Sequence, residues 1–540
     1  MGGETLHSAG YLEIGNRPRI SHTDIDVLFT RNRHLKWVLV DEVGMISDLL
    51  LGAFESSLAD ASDREPRYKM RRKDERRLFG GYNVLTFGDF SQLAPLPPGG
   101  AIFVPPRNTA STGSKQERAR SMRDLFWGDD EAALNYFIEL VETKRYDDQW
   151  YAAVLDECRA GALSEENYAF LHGLPTANPG SWSPLSGQAE CRNSICATLA
   201  MEWIDQPYSR WEEQVRRECE VCGAERRRRN RLLTPQDSEA QQDVFIEAPY
   251  IHQNNEPKYH AMLLRAREYA KRHQIHCLWF QAVDRILDST QKRKDPAQMQ
   301  LQRQRFLQFH DQRTAGIPGL CPLYVGLKMR VAEKVRRSKQ IVVLKHTSCT
   351  VVGWRLHELD QKHDGQGDGE RFLDYLPEFI AVHFEDVHWQ VEGFPPGVLP
   401  IFPEKHEWIF NKDTDSKAER HGFRLIPDFA STAFMVQGTS LRAALAECGS
   451  VDAPGSFTCM VNAYVILSSV KRAHGLALLR AFSPELFNTR VAPGPYCLIK
   501  RRRHIAMQRN TSVTYSIDDA HEEYTYRIGR NTGRIKFITQ

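Results

Sequence analysis

The chain has 540 residues, 41% of them hydrophobic and 26% charged, with a formal net charge of only +2. That length allows roughly three or four domains, and the global charge announces no nucleic-acid partner. No apolar run approaches the ~20 residues that span a bilayer, and the opening MGGETLHSAG carries neither a secretory h-region nor the myristoylation pattern, since Leu6 stands where Ser or Thr is needed.

In chain order, residues 35–40 form a short apolar run that ends in the acid pair Asp41-Glu42, and residues 82–87 form a second that ends in Gly88-Asp89. Both read as buried strands of a parallel sheet. Ile46–Ala59 between them has helical spacing, and 60–80 is a charged connection. Residues 94–120 contain five prolines and read as loop. Helical spacing returns from Asp124 to Leu171, and 174–190 is a Pro-, Gly- and Ser-rich linker into a small insert ending near Leu233. Residues 257–273 predict a helix with Pro257 near its first turn, and 275–282 a core strand. The stretch 320–425 has short β-branched and aromatic runs, at Gln340–Leu344, Cys349–Trp354, Phe379–Phe384 and His388–Val391, and reads as a mostly β module. An α/β pattern resumes from Phe429 to about Phe482. The tail after Arg503 is polar, with a possible strand at Tyr524–Ile528.

Carboxylates at the C-terminal end of a strand sit where open α/β sheets bind ligands. Asp41 there can hold Mg²⁺ through its waters, and Glu42 can orient or deprotonate an attacking water. The same pattern also fits a strand that ends in two solvated acids. Asp89 at the next strand end, followed by Gln92 in GDFSQLAPLPP, adds an amide placed to feel a γ-phosphate. Basic clusters at Arg67–Arg77, Arg226–Arg231 and Lys500–His504 can neutralise phosphates or form solvated faces. Eleven cysteines, mostly scattered, point to reduced thiols in an intracellular protein. Among them, Cys219 and Cys222 form C-x-x-C-G, and Cys191 and Cys196 lie upstream with 22 residues between the pairs. Four thiolates so spaced suit one tetrahedral Zn²⁺. Unrelated surface thiols are the alternative.

These segments resemble the Pif-type branch of superfamily 1 DNA helicases. GDFSQLAP is similar to their motif III, and VLVDEVGMIS to their Walker B segment, with Gly44 in place of the usual Ser. Thr5-Leu6-His7-Ser8 resembles motif Ia, Thr143-Lys144-Arg145 motif IV (with Tyr146 where Gln is usual), and Cys158-Arg159-Ala160-Gly161 the R-x-G signature. Phe434–Leu441 resembles motif V and Tyr464–Val470 motif VI. The resemblance implies an α/β fold of two RecA-like lobes, the first incomplete, with ATP and Mg²⁺ between them and single-stranded DNA across their top. It divides the chain into a first lobe over 1–135, a second lobe over 136–180, 236–320 and 426–500, the cysteine-rich insert over 181–235, an SH3-like β insert over 321–425 and a tail over 501–540. It implies that Asp41, Glu42, Gln92 and Arg145 act on the triphosphate, that Asp41, Asp89, Gln437 and Gly438 hold the nucleotide, and that Thr5, His7, Ser8 and Ser440 face DNA. The implied activity is 5′-to-3′ unwinding of duplex DNA in repair, recombination and telomere upkeep, in the nucleus or mitochondrion and with no membrane partner.

Two departures stand out. No Gly-Lys dipeptide occurs in the 540 residues, so the phosphate loop G-x-x-x-x-G-K-[ST] is absent from them, and Ser469 stands where the family has an arginine finger, worth ~10³–10⁵ in rate. A helicase remnant that binds single-stranded DNA without turning over ATP is therefore the alternative, and a zinc-dependent scaffold is a third reading.

Overall fold

The computed structural model describes residues 4–12, 21–64, 77–172, 245 and 247–509, apart from 98, 107–112, 131–132, 141–142, 147, 288–295, 339–340, 362–368, 386, 412, 450–455 and 491, together with the strand residues 512–515, 525–528 and 535–538. The chain divides into two compact units. Residues 1–164, 452–465 and 484–540 make the first, and residues 165–451 and 466–483 the second.

In the first unit the strand Trp37–Val40 lies parallel to the strand Asn83–Thr86, with Trp37 opposite Asn83 and Val40 opposite Thr86. A parallel pair needs a crossover, and the helix Asp48–Ser62 supplies it. Ser47 caps that helix by accepting the Leu50 N–H at 3.2 Å. Leu51, Phe54 and Leu58 on its inner face pack with Val40, Tyr82, Ile102, Met122 and Phe126. Side chains alternate along a strand, so Val38, Val40 and Val84 turn to this core while Trp37, Leu39, Leu85 and Phe87 turn away. Leu39 is 64% exposed and Phe87 49%.

Residues 114–120, which composition assigns to a loop, instead open the helix Ser114–Trp127. Ala119, Met122 and Phe126 recur at helical spacing and are all buried; the five prolines lie upstream of the helix. Asp48, 1% exposed, ties the two helices together. Its carboxylate accepts from the Gly100 N–H at 2.8 Å and from Arg123 Nε at 2.6 Å. The basic run Lys500–His504 lies on the helix Pro493–Gln508, which carries regular structure past Arg503 into the stretch expected to be an irregular tail. Arg501 and Arg502 donate to the carbonyls of Trp127 and Gly128 at the end of the Ser114–Trp127 helix, and Arg503 pairs with Glu139. The Arg501 and Arg502 guanidinium groups satisfy carbonyls at a helix end. Burial pulls Arg502 down to about 10.

The second unit holds a four-stranded parallel sheet in the order Ala430–Thr432, Tyr250–His252, Ala444–Ala446, Leu476–Leu478. The helix Asn255–Arg272 packs on it through Tyr259, Ala261 and Met262. A five-stranded antiparallel sheet follows, in the order Val398–Ile401, Phe379–His383, Ser348–Arg355, Lys328–Val331, Leu425–Pro427. Met329, Val331, Val351, Ile380, Val382 and Leu399 fill its core. His388–Val391, expected as a strand, is irregular. Its carbonyls bond locally, Val391 to the Phe394 N–H and Trp389 to the Gly397 N–H, so no ladder forms there. Together these sheets and helices make an α/β protein with RecA-like lobes.

His252 ends a central strand of the parallel sheet at 7% exposure, and neither ring nitrogen has a partner among the described residues. Burial, then the charge of Arg480, holds its pKa down at about 4. The unfolded imidazole titrates near 6.5, so the unfolded chain binds the extra proton between those values. Stability from this group is full above pH ~6.5 and is lost as pH falls toward 4. Urea unfolding of the second unit is expected to weaken from pH 7 to pH 5, and His252→Phe should flatten that dependence.

Candidate functional site

The two parallel strands of the first unit end together. The ladder continues one step past the strands, with the Phe87 N–H donating to the Val40 carbonyl at 2.8 Å and the Val43 N–H to the Phe87 carbonyl at 2.8 Å. Between those bonds the chain turns sharply at Glu42, whose φ of 52° is left-handed, and the Asp41 carboxylate accepts the Glu42 N–H at 2.9 Å. Gly88 has a φ of 155°, and a Cβ there would lie 2.9 Å from the Val43 nitrogen. A Cβ on Gly44 would lie 3.1 Å from the Asp89 carbonyl oxygen, a tight approach that the Asp89 turn would have to yield to. The two turns interlock, and Gly88 with its φ and close approach to Val43 is the position that requires glycine.

Past Gly88, the Asp89 carboxylate accepts the Ser91 N–H at 2.9 Å, and the Asp89 carbonyl accepts the Gln92 N–H at 3.2 Å. Phe90 turns inward, edge-on to Phe103 and Phe126. Asp41, Glu42, Asp89 and Gln92 therefore belong to one C-terminal sheet edge. The exposed Asp41 carboxylate suits a hydrated divalent cation.

A fifth group, absent from the site residues expected from sequence, joins this edge. The helix Gln149–Ala160 starts at Asp148, which accepts the Tyr151 N–H at 3.1 Å, and stops at Gly161, whose φ is 61°. Arg159 in its last turn donates to Asp89 at 2.8 Å. Burial works against the Arg159 charge, but Asp89, Tyr464 and Asp156 outweigh it and raise its pKa. Tyr464 is buried nearby and raised by burial first and by the Asp89 charge next. The R-x-G pattern was the available signal: a glycine that ends a helix fixes where the preceding arginine emerges. Arg145 is half-buried and is not the cation on Asp89, and Tyr146 packs edge-on against the buried Tyr151.

Thr5 caps the short helix Leu6–Ala9 by accepting the Ser8 N–H at 3.3 Å; the Ser8 hydroxyl donates to Glu4, and His7 is partly exposed. Gln437, Gly438 and Ser440 lie in the second unit, past the helix Ala433–Val436, with Gly438 at φ 73° and Ser440 exposed. Ser469, in the same unit, is buried, and its hydroxyl donates to the Ile466 carbonyl at 2.7 Å. Cys191, Cys196, Cys219 and Cys222 fall outside the described residues, as do the basic runs Arg67–Arg77 (but for Arg77) and Arg226–Arg231. Among the described residues no group of three or more His, Cys, Asp or Glu could hold a metal, and no helix is long and apolar enough to cross a membrane.

No family model matches the chain. Over 162 residues it is 30% identical to the ATP-dependent DNA helicase PIF5 of Trypanosoma brucei brucei (strain 927/4 GUTat10.1), a match covering 28% of this chain and only 16% of that protein. Among solved structures, Bacteroides Pif1 bound to single-stranded DNA superposes with a TM-score of 0.51 at 14% identity, covering 94% of this chain and 85% of the other. Candida albicans Pif1 gives 0.41 at 16% identity, over 88% and 79%.

Gly88→Ala tests the interlock. It is expected to destabilise the first unit by about 1–3 kcal/mol through left-handed strain and the clash on Val43, read as a lower urea midpoint. Leu39→Ser, on the exposed face of the same sheet, should shift that midpoint far less.

Proposed function

We propose that this chain, a homologue of Pif-type helicases in sequence and fold, is an ATP-dependent motor that moves 5′ to 3′ on single-stranded DNA and unwinds duplex ahead of it. The observation that carries this reading is the shared edge of the two parallel strands, where an acid pair and an amide-bearing turn meet. Asp41 would hold Mg²⁺ through water, and the metal would supply charge neutralisation at the phosphates. Glu42, its backbone held in a left-handed turn, would orient the attacking water. Gln92 would answer to the γ-phosphate through the Asp89 turn, and Arg159, bonded to Asp89, would bring a guanidinium to the same edge. Arg145, Gln437 and Gly438 complete the nucleotide contacts that the resemblance implies. Thr5, His7, Ser8 and Ser440 complete the DNA path. The Trypanosoma relative, an ATP-dependent DNA helicase, supports ATP-driven action on DNA, and the Bacteroides protein, bound to single-stranded DNA, supports a single-stranded ligand. Repair, recombination and telomere maintenance, in the nucleus or mitochondrion, are the settings this activity suits. Cys191, Cys196, Cys219 and Cys222 would hold one Zn²⁺, so purified protein should carry about one zinc per chain and Cys219→Ser should lose it.

A second reading is DNA binding without turnover. The buried Ser469 hydroxyl, turned to its own chain at Ile466, favours it.

A steady-state phosphate-release assay with oligo-dT separates the two. Release stimulated by DNA and reduced about 10²–10⁴-fold in Glu42→Gln is the expected result. DNA binding with no release at saturating strand would leave the second reading in place.

A further inference from the structure

The five-stranded antiparallel sheet of the second unit keeps most of its aromatic rings inside; Phe384 and Phe423 are each 1% exposed. Three phenylalanines instead gather at one end of two strands. Ile380 pairs with Ile401, so Phe379 and Phe402 sit side by side one step beyond that rung. Their ring centroids are 5.9 Å apart, and Phe394 from the intervening connection meets Phe379 edge-on, also at 5.9 Å. Phe402 is 44% exposed. The Arg337 guanidinium stands 5.2 Å over its ring and reaches the Pro400 carbonyl.

Arg337 belongs to a small hairpin in which Val335–Arg336 pairs with Val342–Val343. Lys334, Arg336 and Arg337 are all exposed there, and none has a carboxylate partner among the described residues. The one acid of the segment, Glu333, is taken by Lys345 at 2.7 Å. A second exposed ring pair, Tyr375 on His357, lacks this setting, because the nearby Arg355 is neutralised by Glu378.

We propose that the Phe379–Phe394–Phe402 cluster and its basic hairpin form a stacking platform for unpaired bases of single-stranded DNA. The proposal rests on the reading of the chain as a protein that acts on such strands. An exposed phenyl beside a planar guanidinium offers a base two flat faces. Three cations along one hairpin, without a carboxylate partner among the described residues, offer phosphates their counter-charge and release bound counterions. Neither feature alone selects nucleic acid. Their adjacency does, because bases and phosphates alternate along a strand at comparable spacing. The platform would sit on a module that carries none of the residues assigned above to the nucleotide, so it would add grip on DNA without adding chemistry.

Fluorescence anisotropy of the full chain with labelled oligo-dT, over a range of salt, tests this. Phe402→Ala is expected to weaken binding about tenfold with an unchanged salt slope, and the penalty should vanish on an abasic strand. Lys334→Ala with Arg336→Ala should leave the abasic comparison intact and flatten the slope by about 1.4, two phosphate contacts' worth. Phe402 is a surface residue, so unchanged thermal unfolding of each variant will exclude loss of fold. If Phe402→Ala binds like the unaltered chain while His7→Ala binds more weakly, the platform is overturned and the DNA reading survives. If the unaltered chain binds no strand, both fall. Binding of a proline-rich peptide that Phe402→Ala abolishes, with DNA affinity untouched, would also overturn it and reassign the face to a protein partner.

Discussion

The bond from the Val43 N–H to the Phe87 carbonyl is the constraint on which the candidate site depends. It closes the parallel ladder one residue beyond the strands, and it can form only because Glu42 turns left-handed and Gly88 has no side chain. Side chains alternate with a period of two, so a slip of one residue would turn Val40 outward and bury Leu39. The acid pair would then leave the edge it shares with Asp89. Asp48 braces the crossover helix from behind. Its buried carboxylate joins the crossover helix to Gly100 and Arg123, and removing one partner of such a buried pair costs about 3–5 kcal/mol.

The parts of this arrangement legible in sequence were those written locally. WVLVDE and NVLTFGD each carry an apolar run, a turn residue and an acid within seven positions, and both strands stand where those runs are. What sequence could not give was contact across distance. Arg159 lies seventy residues from Asp89, and no local pattern says that the end of one helix will meet the end of a strand. The run KRRRH shows the same limit. A basic cluster reads as solvated or phosphate-facing by composition, but here Arg501 and Arg502 also bond carbonyls at the end of another helix, a use visible only once both helices are placed. His388–Val391 shows the same limit for strands, because β-branched and aromatic residues form a ladder only where an edge is free to pair.

The exposed face of the first sheet adds a physical asymmetry. Parallel strands are ordinarily covered on both sides, and the near-continuous apolar runs here have the composition for it. Among the described residues one face is packed against helices, while Trp37, Leu39, Leu85 and Phe87 remain open on the other. The strand ends are held by backbone bonds and the crossover helix on the covered face.

Ser469 bears most directly on how the two functional readings compare. Its neighbours Ile466, Leu467 and Val470 are fully buried, and its own backbone carbonyl accepts the Leu441 N–H at 2.7 Å. The position is packed among apolar side chains, with its hydroxyl satisfied by the preceding turn. An arginine placed there would have to bury an unpaired guanidinium, at a cost of several kcal/mol, or displace that packing to reach solvent. The loss of positive charge is therefore built into the surroundings and does not stand as a single exposed replacement. Among the described residues, the guanidinium held at the acid-bearing edge is that of Arg159, which pairs with Asp89 and whose charge Asp89 favours. That shifts the weight of the motor reading from the motif VI position to the end of the Gln149–Ala160 helix, where Gly161 fixes the direction in which the arginine leaves.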